Sequence, residues 1–309
     1  MRGFVLAAGF GTRLRPITDH IPKALVPVAG KPLLERSLNF LIKNGIDTIG
    51  VNSHYLSEQI DAFRRKSVIP FTIYHEAEIR GTGGALDNAR DFLSSDTFVI
   101  VNVDIVCEFD LAALINRFNE SGDICALVSF AASGSGTVCY NRNNGKYLGT
   151  VSESPDTSDT ESADFIGIAM YRPEFLSLLT DDDFSIVPVW TRALKQGLPV
   201  SVYIVEDGYW RDTGKPQDLA DLHFDILDGK ISIDISSEME LDTGSKTCVY
   251  KGINRNIVQT GPYSWIEPCT FNSSDRIERC VIFKGAEINN TINLHSSLIT
   301  QWGAFDLHV

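Results

Sequence analysis

Over roughly its first 110 residues the chain alternates short β-type runs with segments of helical period, and that alternation constrains the fold more than any other feature. Strands separated by helices cannot pair as hairpins; they stack as βαβ units around a parallel sheet. The strands are Gly3–Leu6, Thr48–Val51, Phe71–Tyr74 and Phe98–Val101. After Gly30-Lys31-Pro32 a helix is predicted, with Pro32 in its first turn, Leu34, Leu38, Leu41 and Ile42 on one face, and Asn44-Gly45 ending it. A second helix is predicted over Leu56–Arg65, and a third after a glycine-rich turn, carrying Leu86, Ala89 and Leu93. Phe98-Val99-Ile100-Val101 is apolar on both faces, which places it centrally in the sheet, with Asn102 and Asp104 beyond its C-terminal end.

From about 122 to 205 the pattern becomes β-rich, through Ile124–Phe130, Thr137–Tyr140 and Phe165–Tyr171, around a polar stretch Glu153–Ser162 that reads as a loop or lid. A helix over Gln217–Leu227 closes the larger domain, residues 1–229. In 230–309 the helical period disappears. Ile282, Ile288 and Leu294 lie six apart with Gly285-Ala286 and Asn289-Asn290 between them, a spacing that resembles a hexapeptide β-helix repeat. An irregular β appendage is the alternative.

Charge removes several functions. Of 309 residues, 27 are Lys or Arg against 40 Asp or Glu, a formal charge of −13 that repels nucleic acid and anionic membranes. A phosphorylated small molecule stays compatible, because local cations and backbone N–H groups outweigh the global field at short range. Six cysteines without a C-x-x-C pair read as reduced thiols of a cytoplasmic protein. No apolar run approaches the roughly 20 residues of a membrane span.

The first strand runs into Leu6-Ala7-Ala8-Gly9-Phe10-Gly11-Thr12-Arg13. Glycines there let backbone N–H groups approach an anion, and Arg13 adds a guanidinium fork. Leu14 stands where a dinucleotide fingerprint needs its third glycine, and no Gly-Lys-Ser/Thr completes a Walker loop, so the loop belongs to neither class. Ten residues on, Lys23 lies in Pro22-Lys23-Ala24-Leu25-Val26-Pro27, a rigid setting for a point cation aimed at phosphate. His20, His54 and His75 lack metal-ligand spacing, and Asp181-Asp182-Asp183 reads as a solvated turn.

These motifs resemble the sugar-1-phosphate nucleotidylyltransferases, whose signature is G-x-G-T-R followed by P-K. The resemblance runs to about residue 228 and includes Gly30-Lys31-Pro32-Leu33, His75 to Leu86, Asn102-Val103-Asp104, Phe165-Ile166-Gly167-Ile168 and Tyr209-Trp210-Arg211-Asp212-Thr213-Gly214. It implies an α/β fold, a Rossmann-like mixed-sheet catalytic domain; the six-residue spacing beyond it reads as a small C-terminal β domain, a short left-handed β-helix whose exposed edges would favour packing on another subunit in a homo-oligomer. It implies that Leu6, Ala7, Ala8, Gly9, Gly11, Thr12, Arg13 and Lys23 hold the nucleoside triphosphate and that Gly81, Thr82 and Gly83 lie against the base. Asp104 and Asp212 would bind Mg²⁺, and Glu153 and Gly167 the sugar phosphate, with Arg13, Lys23, Asp104 and Asp212 the catalytic set. The family's E-K-P reads Glu153-Ser154-Pro155 here, without the lysine, a charge that Arg211 or Lys215 could replace.

The implied reaction joins a nucleoside triphosphate and a sugar 1-phosphate into a nucleotide sugar and pyrophosphate. Gly81-Thr82-Gly83-Gly84-Ala85 is similar to the guanylyl-transferring members, which favours GTP narrowly over UTP, the substrate of the N-acetylmuramate-1-phosphate enzymes. Two alternatives stand beside it: a catalytically weak regulatory or sensing homologue, and an enzyme for a phosphorylated alcohol such as phosphocholine, against which Gly167 and Glu153 speak.

Overall fold

The structure, a computed structural model, describes residues 1–153, 158–271, 275–289 and 293–308. The chain divides into two compact units. One comprises Met1–Gly9, Leu34–Ile105 and Phe109–Trp210; the other comprises Phe10–Leu33, Val106–Glu108 and the residues from Arg211 onward.

The first unit is built on a nine-stranded mixed sheet. Four strands run parallel, in the order Phe98–Asn102, Arg2–Leu6, Ile49–Ser53, Thr72–His75, with Gly3 opposite both Val99 and Ile49. On the far side of Phe98–Asn102 the long strand Thr160–Tyr171 pairs antiparallel, Ile168 opposite Val101. The apolar Phe98–Val101 run therefore lies inside the sheet, and its side chains are buried. Phe98 stacks on Tyr171 with ring centroids 5.3 Å apart, and Trp190 and Phe175 fill the same core.

Several local expectations change. The first long helix is Leu33–Lys43; Lys31–Pro32 instead forms a two-residue strand against Pro27–Val28. Leu34, Leu38 and Leu41 are buried, but Ile42 is exposed, because it lies beyond the edge of the apolar stripe. The third helix breaks at Ala89 into Gly81–Asn88 and Arg90–Leu93. Of the polar stretch, residues 160–162 belong to the long strand and pair with 139–141, while 154–157 lie outside the described residues.

Besides the short Pro27–Val28 and Lys31–Pro32 pair, the second unit carries the helix Pro216–Leu227 and, after it, a larger and a smaller sheet. In the larger, Cys248 is opposite Trp265, Trp265 opposite Val281, and Val281 opposite Leu298, all in parallel. In the smaller, Phe271 is opposite Ile288. Ile282, Ile288 and Leu294 thus fall on three successive strands, and Ile282 and Ile288 pack with Val249, Ile266 and Ile277 in one core. That stacking is the physical source of the six-residue spacing.

Segment Phe10–Leu33 belongs to this unit. Its Leu14 and Ile17 are fully buried, the Ala29 N–H donates to His223 Nε2 at 3.1 Å, and Lys31 pairs with Asp234 at 2.9 Å. His20 stacks on Trp302 with centroids 5.6 Å apart. All six cysteines are unpaired. Among the described residues no helix is long and apolar enough to cross a membrane.

Candidate active site

In the first unit the signature loop begins where the central strands end. Leu6 closes its strand opposite Asn102, and its carbonyl accepts from the Val103 N–H at 3.1 Å. Ala7 and Ala8 are buried and Gly9 is exposed. Ala7 has left the ladder, so its N–H needs another acceptor, and the buried Asn52 Oδ1 provides it at 2.5 Å. Asn52 Nδ2 in turn donates to Glu76 Oε1 at 2.6 Å. Burial raises the Glu76 carboxyl above the usual carboxylate range, against the opposing pull of the Asn52 hydrogen bond and the Arg80 backbone.

A cleft of about 160 Å³ opens beside these strand ends, lined among others by Leu6, Thr82, Asn102, Gly167 and Trp190. Gly167 sits at the bulge in Thr160–Tyr171 with φ +75°, and a Cβ there would lie 2.5 Å from Asn102 Nδ2. Only glycine allows that approach. Asp104 is half-buried in the turn Val103–Asp104 that follows the central strand.

The glycine-rich segment opens the helix Gly81–Asn88, as expected, but its glycines meet protein. A Cβ on Gly81 would lie 2.1 Å from the Phe184 carbonyl oxygen, and one on Gly83 2.0 Å from that of Asp183. The Ile186 N–H donates to Thr82 Oγ1 at 2.8 Å. The Asp181–Asp183 turn is correspondingly less solvated than expected: Asp183 is buried, and Arg192 grips its carboxylate at 2.7 and 2.9 Å. That guanidinium, with Thr180, holds the carboxyl down at about 2. Glu153 is exposed and lines a second cleft of about 390 Å³ with Thr191, Arg192 and Lys195.

In the second unit Thr12–Leu14 forms a 3₁₀ turn preceded by Gly11 at φ +63°. A Cβ on Gly11 would meet Thr18 at 2.8 Å and Lys23 Cβ at 3.0 Å, so the loop and the lysine-bearing turn Lys23–Leu25 are packed together. Thr12 and Arg13 are exposed. Asp212, half-buried at the end of the strand Tyr209–Asp212, accepts the Gly214 N–H on Oδ1 at 2.6 Å. A Cβ on Gly214 would lie 2.3 Å from Arg13 Nη2 and 2.8 Å from Asp212 Oδ1. The structure therefore gathers Gly11, Arg13, Lys23, Asp212 and Gly214 in one unit, and Leu6, Thr82, Asn102 and Gly167 around one cleft of the other. Arg211, offered above as a substitute cation, binds the carboxylate of Asp225 through Nε at 2.9 Å.

Asp104, in the first unit, and Asp212, in the second, each offer hard carboxylate oxygens of the kind Mg²⁺ takes, and no group of three or more His, Cys, Asp or Glu that could hold a metal occurs among the described residues.

Sequence reasoning missed Asn52, Glu76 and the role of Asp183. Asn52 lies in no motif named above, although its polarity inside the buried strand Ile49–Ser53 marks it; Glu76 falls within the His75 to Leu86 segment, where nothing sets it apart from the polar residues around it.

Known proteins agree with this architecture. An N-acetylmuramate α-1-phosphate uridylyltransferase of Caulobacter vibrioides is 28% identical over 226 residues, 69% of this chain and 91% of that one. A mannose-1-phosphate guanylyltransferase catalytic subunit beta of Dictyostelium discoideum is 30% identical over 227 residues, 71% of this chain and 62% of that one. Among solved structures, HddC of Yersinia pseudotuberculosis, complexed with GMP-PN, superposes with a TM-score of 0.59 at 22% identity, covering 72% of this chain and 98% of the other. The nucleotidyl transferase family itself matches residues 2–229. The chain that forms this mixed sheet and carries these loops belongs to the nucleotidyl transferase family.

Proposed function

We propose that the protein transfers a nucleotidyl group from a nucleoside triphosphate to a sugar 1-phosphate, releasing pyrophosphate, with GTP favoured narrowly over UTP. The observation that carries this reading is the grouping of Arg13, Lys23 and Asp212 around Gly11 and Gly214 in one packed unit. Both relatives described above carry sugar-1-phosphate nucleotidyl transfer in their names, one for uridylyl and one for guanylyl groups. In-line attack of the sugar phosphate on the α-phosphorus needs positioning and charge neutralisation more than a covalent nucleophile. Arg13 and Lys23 offset phosphate charge, and Gly167 and Glu153, which match the family's sugar-binding positions, take the sugar phosphate. Mg²⁺ on Asp104 and Asp212 would supply Lewis-acid neutralisation of the phosphates. We further read residues 1–229 as the catalytic domain and 230–309 as a short left-handed β-helix that joins subunits; its parallel pairing supports stacked rungs.

A matrix of triphosphates against sugar 1-phosphates, followed by pyrophosphate release with Mg²⁺, tests the proposal. One pairing with GTP or UTP is expected to dominate, and Asp104→Ala and Asp212→Ala are expected to lower its kcat by about 10²-fold or more. No pyrophosphate release from any pairing, or full turnover in both variants, would overturn it.

A further inference from the structure

Asn52 is a buried amide placed between two groups of opposite demand. Its single acceptor, Oδ1, receives the Ala7 N–H at 2.5 Å, and its Nδ2 donates to Glu76 Oε1 at 2.6 Å. An amide can satisfy both only in one orientation; flipped, it would turn a donor toward the Ala7 N–H. The acceptor that holds it in that orientation is Glu76, only 8% exposed, whose carboxyl faces the Arg80 backbone yet leaves Oε2, shut from solvent, without a hydrogen bond of normal geometry among the described residues. A buried carboxylate with an unmatched oxygen is costly for stability alone, so its presence here points to a role in what it orients. What it orients is the first backbone N–H beyond the strand, at the root of the loop that leads to Gly9.

We propose that Asn52 and Glu76 are positioning residues for triphosphate binding: Glu76 fixes the Asn52 amide, which fixes the Ala7 N–H and with it the start of the phosphate-binding loop. This rests on the nucleotidyl-transfer reading given above. The relay needs an acceptor at residue 76, not a charge, and a donor at residue 52. The titratable His54 and the charged Arg80 face the Glu76 carboxyl; His54 Nδ1 lies 2.8 Å from the Glu76 carbonyl oxygen. His75, on the neighbouring strand, faces Ser53 Oγ at 2.8 Å and Asp61 at 3.4 Å.

The test uses the full chain with Glu76→Gln, Glu76→Leu and Asn52→Asp. Binding of GTP and of UTP with Mg²⁺ is measured by calorimetry at pH 8 and pH 6, alongside amide exchange of residues 4–9. Glu76→Gln keeps an acceptor and is expected to bind as the wild type does. Glu76→Leu is expected to bind about tenfold more weakly, with faster exchange at Ala7. Asn52→Asp sets two carboxylates face to face, so it is expected to bind weakly at pH 8 and to recover at pH 6, where one shared proton restores the donor. The wild type and Glu76→Gln, run at both pH values, account for His54 and for the nucleotide itself. Should Glu76→Leu fail to fold, the Asn52→Asp pH response and the Glu76→Gln affinity decide. Wild-type affinity in Asn52→Asp at pH 8, or a Glu76→Gln variant as weak as Glu76→Leu, would overturn the relay. A wild-type protein that binds neither nucleotide is a separate outcome and would overturn the functional reading itself.

Discussion

At the scale of single residues, Gly214 separates structure from chemistry. A methyl group there would meet the far end of the Arg13 side chain, 2.3 Å away, and the Asp212 carboxylate oxygen at 2.8 Å. The guanidinium is the tip of a flexible chain and can move aside at little cost to folding, but in moving it leaves the position its neighbours now define. Gly214→Ala is therefore expected to keep a melting temperature close to that of the wild type while kcat falls by about 10²-fold, the penalty of a misplaced group in a preorganised site. Steady-state kinetics and thermal unfolding on the same preparation check this; a large drop in melting temperature with kcat intact would show that the glycine serves packing alone. Arg13 stood out in the sequence by its guanidinium beside a glycine loop, and Asp212 only through its place in the Trp-Arg-Asp-Thr-Gly run. Gly214 was legible only as part of a run, since its reason for being glycine is a side chain two hundred residues away.

Elements show the same division. The parallel strands were readable because βαβ periodicity is local, and Phe98–Val101 announced its central place by being apolar on both faces. The Asp181–Asp183 turn was readable only in part, Asp181 and Asp182 being exposed and Asp183 buried. Three aspartates in a row describe a solvated surface until the fold brings Arg192 to Asp183 and the glycines of the Gly81–Asn88 helix to the backbone of 183 and 184. That contact has a pH signature. The Asp183 carboxyl is held at about 2 in the folded protein, below its ordinary 3.8, chiefly by the Arg192 hydrogen bonds. A depressed carboxyl contributes stability that is fully present above the ordinary value and is lost as pH falls through the folded one. Asp183→Asn is expected to lower the melting temperature at neutral pH, and the gap to the wild type should narrow between about pH 4 and pH 2. Melting curves across that window check it; a gap independent of pH would mean that shape, not charge, holds the turn.

For the whole molecule, the sequence drew a line after residue 229 because the catalytic motifs end there and the helical period stops. The compact units cut differently: Phe10–Leu33, which carries Gly11, Arg13 and Lys23, is grouped with the residues from Arg211 onward. The contacts responsible are long-range and leave no local trace in the sequence. Lys31 meets Asp234, the Gly30 backbone bonds the buried Glu267 carboxyl, His20 stacks on Trp302, and a Cβ on Gly303 would lie 2.8 Å from Pro16. Each of those partners lies beyond Lys230. A chain ending at Lys230 would keep Asp104, Asp212 and both proposed cations, yet it would strip Pro16, His20, Gly30 and Lys31 of these partners. Ordering that segment would then have to be repeated at each binding event, which weakens affinity without touching any group that meets the phosphates. We therefore expect the truncated protein to melt at a lower temperature and to show a raised KM for the triphosphate, by about tenfold or more, while Trp302→Ala in the full chain shifts KM in the same direction by less. Titration of the triphosphate against both proteins checks this, and a truncated chain with wild-type nucleotide affinity would show that the cation-bearing segment organises itself without the C-terminal sheets.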